Sequence, residues 1–322
     1  MIIKEIINSQ EKTRYSELAL EIGNIFNTLE WLNIFKDKVR LFGIHENNGK
    51  LVGGFCLYKE RRFNFKIYRD PPFSACVGPF LRIEAKNPVS IMNKWKEAIT
   101  LVAKTIDDLP YSVVSITLNK GVVDTQPFIW KKFKVTPSYT YILDLKKSVE
   151  DIHKGMSAER RNDARKAIKD GLTVKHVDNF GIVKSLILKT FSRQKMTVNK
   201  NHLDKILFEF ANKENSFAFV TFDKEKPIAA TFCIYDKDAA YYLLGGYDYQ
   251  SKHHGAGALA VWEAIKYTKN LGLKYFDFEG SMVPQIERYF RGFGGQLLPY
   301  FRINKAKLLI EILLKFFKRE LF

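Results

Sequence analysis

The sequence predicts an α+β fold of two similar domains, each a mixed, mostly antiparallel sheet flanked by helices. Three observations carry this. Two hairpin-like stretches repeat at one fixed offset. A helix and a strand follow each hairpin in the same order. A turn-rich stretch between the copies supplies a joint. At 322 residues the chain has room for two cores of ordinary size.

The first hairpin spans residues 40–59, where two apolar runs flank Asn47-Asn48-Gly49, a turn signal. The second spans 218–236. Phe42 matches Phe219, Leu51 matches Ile228, and Phe55-Cys56-Leu57-Tyr58 matches Phe232-Cys233-Ile234-Tyr235, all 177 positions apart without a gap. Further on, Trp95-Lys96-Glu97-Ala98-Ile99 is echoed by Trp262-Glu263-Ala264-Ile265, and residues 113–118 by the strand before Gly280. An internal duplication is the economical reading. The joint falls near residues 137–148. We therefore expect domains at 1–138 and 139–304, with 305–322 as a C-terminal helix.

Composition narrows the class. Apolar residues make 46% and charged residues 27%, a globular balance. No apolar run is long enough to span a bilayer, and the N-terminus lacks a signal-peptide core, so a cytoplasmic location is expected. Cys56, Cys76 and Cys233 lie in apolar runs without metal-ligand spacing, so no metal is expected. The formal net charge of +17 favours a polyanionic partner: RNA, a nucleotide-linked precursor or an anionic membrane face.

Most of the chemistry concentrates in residues 241–295. A strand at 241–245 ends in Gly245-Gly246 and enters a polar loop. The loop closes on Gly255-Ala256-Gly257, and a helix begins with Ala258, Val261, Trp262 and Ile265 at helical spacing. Gly272 follows as a C-terminal cap, then a strand at 275–279. A glycine loop feeding a helix start offers free N–H groups and the positive end of the dipole, which suits phosphate. The first copy has Ile-Glu-Ala-Lys-Asn-Pro at this place, so a phosphate-bearing donor would bind the second copy. The first would be structural or bind the acceptor.

In the strand at 275–279, Tyr275, Asp277 and Glu279 would share one face. The two carboxylates would stand about 7 Å apart. Such a pair on a half-buried strand can raise one pKa towards that of a general base. Asp277 reads equally as a cap on a neighbouring element. Glu279 sits nearer the glycine pair.

Between the copies, Ser157 reads as an N-cap and Gly171 as the residue past a helix end. Ala164, Ala167 and Ile168 would form its apolar stripe. Arg161, Arg165 and Lys169 follow at i, i+4, i+8 as a basic ridge, in a segment (153–175) with seven Lys/Arg against three Asp/Glu. Another amphipathic helix covers 201–212, with Leu203, Ile206, Leu207 and Phe210 inward. In 305–322, Leu308, Leu309, Ile312, Leu313, Phe316 and Phe317 make a broad apolar face opposite Lys307, Glu311, Lys315 and Lys318. That helix either packs on a domain or lies in an anionic membrane interface.

Several of these stretches carry a family resemblance. Lys252-x-x-Gly255-x-Gly257-Ala258 resembles the Gln/Arg-x-x-Gly-x-Gly/Ala loop with which GNAT N-acyltransferases hold the pyrophosphate of coenzyme A. Residues 139–148, 156–172 and 276–303 are similar to the Fem-type branch of that superfamily, whose tandem GNAT-like domains match the duplication. The resemblance implies acyl or aminoacyl transfer to an amine. Fem-type enzymes take amino acids from aminoacyl-tRNA to peptidoglycan precursors; related short members use acyl-CoA. This chain lacks the long helical arm of several tRNA-using relatives. Acyl-CoA is therefore the expected co-substrate, with tRNA as the alternative partner and a catalytically inactive precursor-binding module as a third reading. The acceptor would be an amine on a cell-envelope precursor or amino sugar, placing the protein at the inner membrane face.

The resemblance also assigns roles. Backbone N–H groups near Gly245 and Gly246 would polarise the donor carbonyl. Lys252, Gly255, Ala256, Gly257 and Ala258 would hold the donor. Independently of the resemblance, the basic ridge makes Arg161 and Arg165 the candidates for binding an anionic substrate group. Glu279, with Asp277 beside it, would be the base. GNAT enzymes often carry an acid in Tyr-x-x-x-Gly-Phe. Aligning Gly294 puts Phe290 at the tyrosine position and makes Tyr289, one residue away, the candidate acid.

Overall fold

The computed structural model describes every residue except Lys252. In chain order the elements are β1 (Ile2–Ile6), α1 (Ser9–Ile22), α2 (Leu29–Leu32), β2 (Val39–His45), β3 (Leu51–Arg62), β4 (Phe65–Arg69), β5 (Phe80–Leu81), α3 (Pro88–Asp107), β6 (Val113–Thr117), α4 (Gln126–Trp130) and β7 (Lys134–Asp144). Then come α5 (Val149–Gly155), α6 (Ala158–Lys169), β8 (Thr173–His176), α7 (Phe180–Arg193), α8 (Lys200–Asp204), β9 (Ser216–Asp223), β10 (Lys226–Tyr235), β11 (Ala239–Tyr247), α9 (Gly255–Asn270), β12 (Tyr275–Asp277), α10 (Pro284–Arg291), β13 (Gln296–Ala306) and α11 (Leu308–Phe317). The chain divides into two compact units: Met1–Ser138 with Pro299–Phe322, and Tyr139–Leu298.

In the first unit the strands run β1-β2-β3-β4-β6-β13. All neighbours are antiparallel except β4 and β6. The core packs α3 on the sheet through Ala98, Ile99, Val102 and Ile106, against Phe55, Leu57 and Val114. Phe42 stacks on Phe55 with centroids 4.8 Å apart. The helix starts cleanly because the Asn87 side chain accepts the Ser90 N–H and a proline follows the cap.

The second unit repeats this order as β8-β9-β10-β11-β12-β7. Again only the fourth and fifth strands, β11 and β12, are parallel. Its core sets Ala258, Val261, Ala264 and Ile265 of α9 against Phe217, Phe219, Phe276 and Phe278. Each unit thus carries the mixed, mostly antiparallel sheet with flanking helices that the duplication implies. The sixth strand of each unit lies apart in sequence from the strand it joins: β13, from the C-terminal part of the chain, pairs with β6, and β7, which precedes the rest of its unit, pairs with β12.

The two hairpins occupy the same place but are one residue out of register. Phe42 faces Phe55, whereas Phe219 faces Thr231 rather than Phe232. The cause lies in the turns. Glu46 N–H bonds the Lys50 carbonyl across residues 47–49, with Gly49 at φ 87°. In the second hairpin Asp223 pairs with Lys226 across residues 224–225 only. The gap-free offset of 177 therefore does not survive in the pairing.

Where the fourth and fifth strands part, the units differ. In the first, β4 meets β6 over three residue pairs. Beyond them, the Asp70 carboxylate takes the Thr117 N–H at 2.9 Å and the Thr117 hydroxyl at 2.7 Å. Gly78 N–H donates to the Thr117 carbonyl at 3.0 Å. A Cβ on Gly78 would lie 2.5 Å from Leu118 Cα, so only glycine lets this segment pass. Burial pushes the Asp70 pKa up to about 6, against the pull of Arg302 and the Thr117 hydrogen bonds. The first unit's gap is filled with its own backbone.

Candidate active site in the second unit

β12 pairs with β11 at Ala239, Ala240 and Tyr241 only. The rest of β11 runs on to Tyr247 beside β10 alone. Past Asp277 the chain leaves towards β7, with Phe278 N–H donating to the Tyr141 carbonyl at 3.0 Å. The outcome is a wedge along the free edge of β11.

Sequence sets what lines this wedge. A bulge between Phe232 and Cys233 leaves Leu243 without a facing residue on β10. The extra residue brings Tyr242 to the same side as Gly245. A Cβ on Gly245 would fall on the Tyr242 hydroxyl and 3.0 Å from its ring carbon Cζ, so the glycine makes room for the phenol. Gly246 serves a different purpose. Its added Cβ would lie 2.7 Å from Leu186 Cβ and 2.8 Å from the Ile187 nitrogen, so it admits α7.

Tyr289 enters from α10. The Arg160 guanidinium lies 4.8 Å from its ring centre. Its hydroxyl stands 3.3 Å from where a Gly257 Cβ would be. Burial pushes the Tyr289 pKa well above the ordinary phenol value, with Tyr242 and Asp163 adding to the rise. Tyr242 shifts the same way, also through burial. Both residues are half-buried. The two phenols are thus held neutral, as hydrogen-bond donors to oxygen.

Arg160 is the site residue that the sequence reading missed. It is buried, and it binds Asp163 at 2.9 Å and Glu159 on its own helix. The Asp163 pKa is raised by burial in spite of Arg160. The signal was present: Arg160 lies four residues before Ala164 and seven before Ala167, on the buried stripe. Ile168, expected on that stripe, is exposed. The ridge residues face elsewhere. Arg161 donates to the Lys154 carbonyl at 3.0 Å and to that of Met156, closing the end of α5. Arg165 is exposed and donates to Asn162 at 3.2 Å.

The start of α9 is tightly packed. An added Cβ on Gly255 would land on the Asp163 carbonyl oxygen, 2.9 Å from the carbonyl carbon and 3.1 Å from Ala167 Cβ. Gly255 N–H donates to His253 Nδ1 at 3.2 Å, and Ala256 N–H to the His253 carbonyl at 3.2 Å. His253 Nε2 meets Asp170 Oδ2 at 3.2 Å. These bonds fix one tautomer, with the proton on Nε2. Ala256 and Ala258 are buried, and Gly257 borders the Tyr289 hydroxyl. Lys252 lies outside the described residues.

Asp277 is a buried structural acceptor. Its Oδ1 takes the Thr140 hydroxyl at 2.7 Å and the Glu279 N–H at 2.9 Å. The strand ends there, short of the expected Glu279. Glu279 sits at φ 58° and Gly280 at φ 72°, a left-handed pair that breaks the alternation of faces. A Cβ on Gly280 would strike the Tyr139 carbonyl, so this turn needs the glycine. Glu279 remains half-buried at the end of β12.

Comparison with known proteins fits this geometry. Residues 190–291 match the family model described as an acetyltransferase (GNAT) domain. The structure superposes on the crystal structure of FemX with a TM-score of 0.67 at 12% identity, covering 97% of this chain and 99% of that one. The fold is that of the GNAT superfamily, in its Fem-like form. A second structural neighbour is a tandem GNAT protein from the clavulanic acid biosynthesis pathway, with a TM-score of 0.53 at 9% identity over 94% of this chain and 98% of that one. A third is the C-terminal domain of a putative lysylphosphatidylglycerol synthetase from Agrobacterium fabrum, with a TM-score of 0.58 at 9% identity over 96% and 98%. No curated protein matches the chain by sequence. The matched segment of the GNAT domain runs from the end of α7 through α10, and so contains the whole wedge except the residues given by α6 and β7.

Proposed function

We propose that the protein is an N-acyltransferase that moves an acyl group from acyl-CoA to an amine on a cell-envelope precursor or amino sugar, and that the β11–β12 wedge of the second unit is where it does so. The observation that carries this reading is the free edge of β11 with two neutral phenols beside it. Backbone N–H groups there, with the Tyr242 and Tyr289 hydroxyls, can hold the oxygen of an acyl group as negative charge develops on it. The amine attacks the carbonyl carbon, loses a proton to a base for which Glu279 is our candidate, and the donor's sulfur leaves. The Gly257 N–H is the donor contact we assign, since His253 already caps Gly255 and Ala256 and the Ala258 N–H belongs to the helix ladder.

A second reading is transfer of an aminoacyl group from the ester of a charged tRNA. Two details favour it. The first turn of α9 is partly self-capped, which leaves less for a pyrophosphate. The acid at hand has a strongly raised pKa. A thiolate leaves unaided, since an ordinary thiol ionises near ~8.5, whereas an alkoxide needs a proton.

Turnover with Tyr289→Phe separates the two. With acyl-CoA and an amine acceptor, wild type is expected to release free thiol, and the variant to lose about tenfold or less in kcat. With an aminoacyl ester the loss should reach about 10²–10⁴-fold. Absence of transfer from either donor to any amine, with donor binding retained, would leave a binding module.

A further inference from the structure

Helix α11 contains no buried residue. Leu308 is 75% exposed, Leu309 78%, Phe316 79% and Phe317 81%, and Ile312 and Leu313 are exposed as well. A second apolar element of the same unit stands next to its start. Lys307 N–H donates to the Ser112 carbonyl at 3.0 Å, and Ser112 N–H to the Lys66 carbonyl at 2.7 Å. Lys66 N–H returns a bond to the Ser112 hydroxyl at 3.1 Å. Lys66 belongs to the tip of the β3–β4 hairpin, where Phe63 is 94% exposed and Phe65 is exposed too. A helix and a hairpin tip, tied to each other through Ser112 at the helix start, thus both present large apolar side chains to solvent. Scattered exposed apolar residues are ordinary; a joined set of this size marks an interaction surface.

Charge says what it fits. The hairpin tip carries Arg61, Arg62 and Lys66; the helix region carries Lys307, Lys315, Lys318 and Arg319. The local acids are largely engaged: Glu60 with Arg62 and Arg69 at 2.9 Å each, and Glu311 with Lys315 at 2.9 Å. A second copy of the chain would bring cation against cation. A ten-residue helix is about 15 Å long, half of a bilayer's hydrocarbon core of about 30 Å, so it cannot cross one.

We propose that α11 and the β3–β4 hairpin tip together form a docking surface for anionic phospholipid bilayers. Phe63, Phe316 and Phe317 insert below the headgroups, and the lysines and arginines sit at headgroup level. This surface lies wholly in the first unit and stands independently of the acyl-transfer reading.

The test is cosedimentation of the full chain with vesicles of phosphatidylcholine alone and of phosphatidylcholine mixed with phosphatidylglycerol. Binding is expected only to the mixed vesicles and is expected to weaken as salt rises. Phe316→Glu with Phe317→Glu, and separately Phe63→Glu, should each lower partitioning about tenfold or more at an unchanged melting temperature. Lys318→Gln should lower it roughly fivefold. No binding of wild type to anionic vesicles overturns the proposal, as does binding that both phenylalanine variants leave intact. A concentration-dependent dimer in light scattering, abolished by the Phe316/Phe317 variant, would make a second copy the occupant. A lowered melting temperature in that variant, without vesicle binding by wild type, would return the face to the fold.

Discussion

Gly255 and Gly257 sit two residues apart at the start of α9, yet alanine should destabilise at the first and be nearly neutral at the second. A Cβ at position 255 meets main chain: the Asp163 carbonyl, with its carbon at 2.9 Å, and Ala167 Cβ at 3.1 Å. Nothing there can rotate away, so α6 must shift. Overpacking of this kind costs about 3 kcal/mol at the upper end of its usual range. Alanine's better helix propensity returns up to ~1 kcal/mol. The net is about 2 kcal/mol, a fall in Tm of about 4–8 °C for a unit of this size. A Cβ at position 257 meets only the Tyr289 hydroxyl at 3.3 Å. There the propensity gain and a slight displacement of the phenol should cancel to within ~0.5 kcal/mol. Gly257→Val adds bulk beside Tyr289 and should lower donor affinity at nearly wild-type stability. Circular dichroism melts and calorimetric donor titrations read both quantities. Equal melting temperatures for Gly255→Ala and Gly257→Ala would refute the packing argument. Unchanged donor affinity in Gly257→Val would refute the placement of the donor.

Asp277→Ala strands the Thr140 hydroxyl and the Glu279 N–H inside the fold, and should cost about 2 kcal/mol in urea unfolding; loss of turnover at full stability would instead make Asp277 catalytic. Glu279→Gln should lower kcat and flatten the acid limb of its pH profile, and an unchanged profile would leave it structural. Asp70 has a folded pKa of about 6, above that of an unfolded aspartate. Its contribution is therefore fully present below pH ~4 and is lost as pH rises through 6, a cost of roughly 3 kcal/mol by pH 7. Relative to Asp70→Asn, wild type should lose about that much between pH 4 and 7, and parallel pH–stability curves would disprove it.

The sequence carried the architecture because its signals are local. Asn47-Asn48-Gly49 specifies a turn by backbone chemistry, and Ser157 and Gly171 mark the ends of α6 as caps do. Leu203, Ile206, Leu207 and Phe210 point inward as their spacing requires, although the last turn is a π-helix. What sequence did not carry depends on partners distant in the chain. The one-residue register change follows from which N–H pairs across each turn. Arg160 was overlooked because a charged residue on an apolar stripe is rarely buried unless paired, and its Asp163 partner lay among seven cations. Glu279 was placed on a strand face because alternation was extended past Asp277; Gly280, which cannot carry a Cβ against Tyr139, was the warning. The apolar face of α11 was plain in the sequence, but only the structure leaves it uncovered.

Hydrogen exchange of the full chain, with and without acetyl-CoA or a charged tRNA, tests the wedge most directly. Amides along a free strand edge exchange unless a ligand covers them. The account predicts that one of the two donors slows exchange within residues 242–246 and at Gly257, and that Tyr289→Phe reduces this protection. Protection confined to the first unit, or none in the second with either donor, would contradict it.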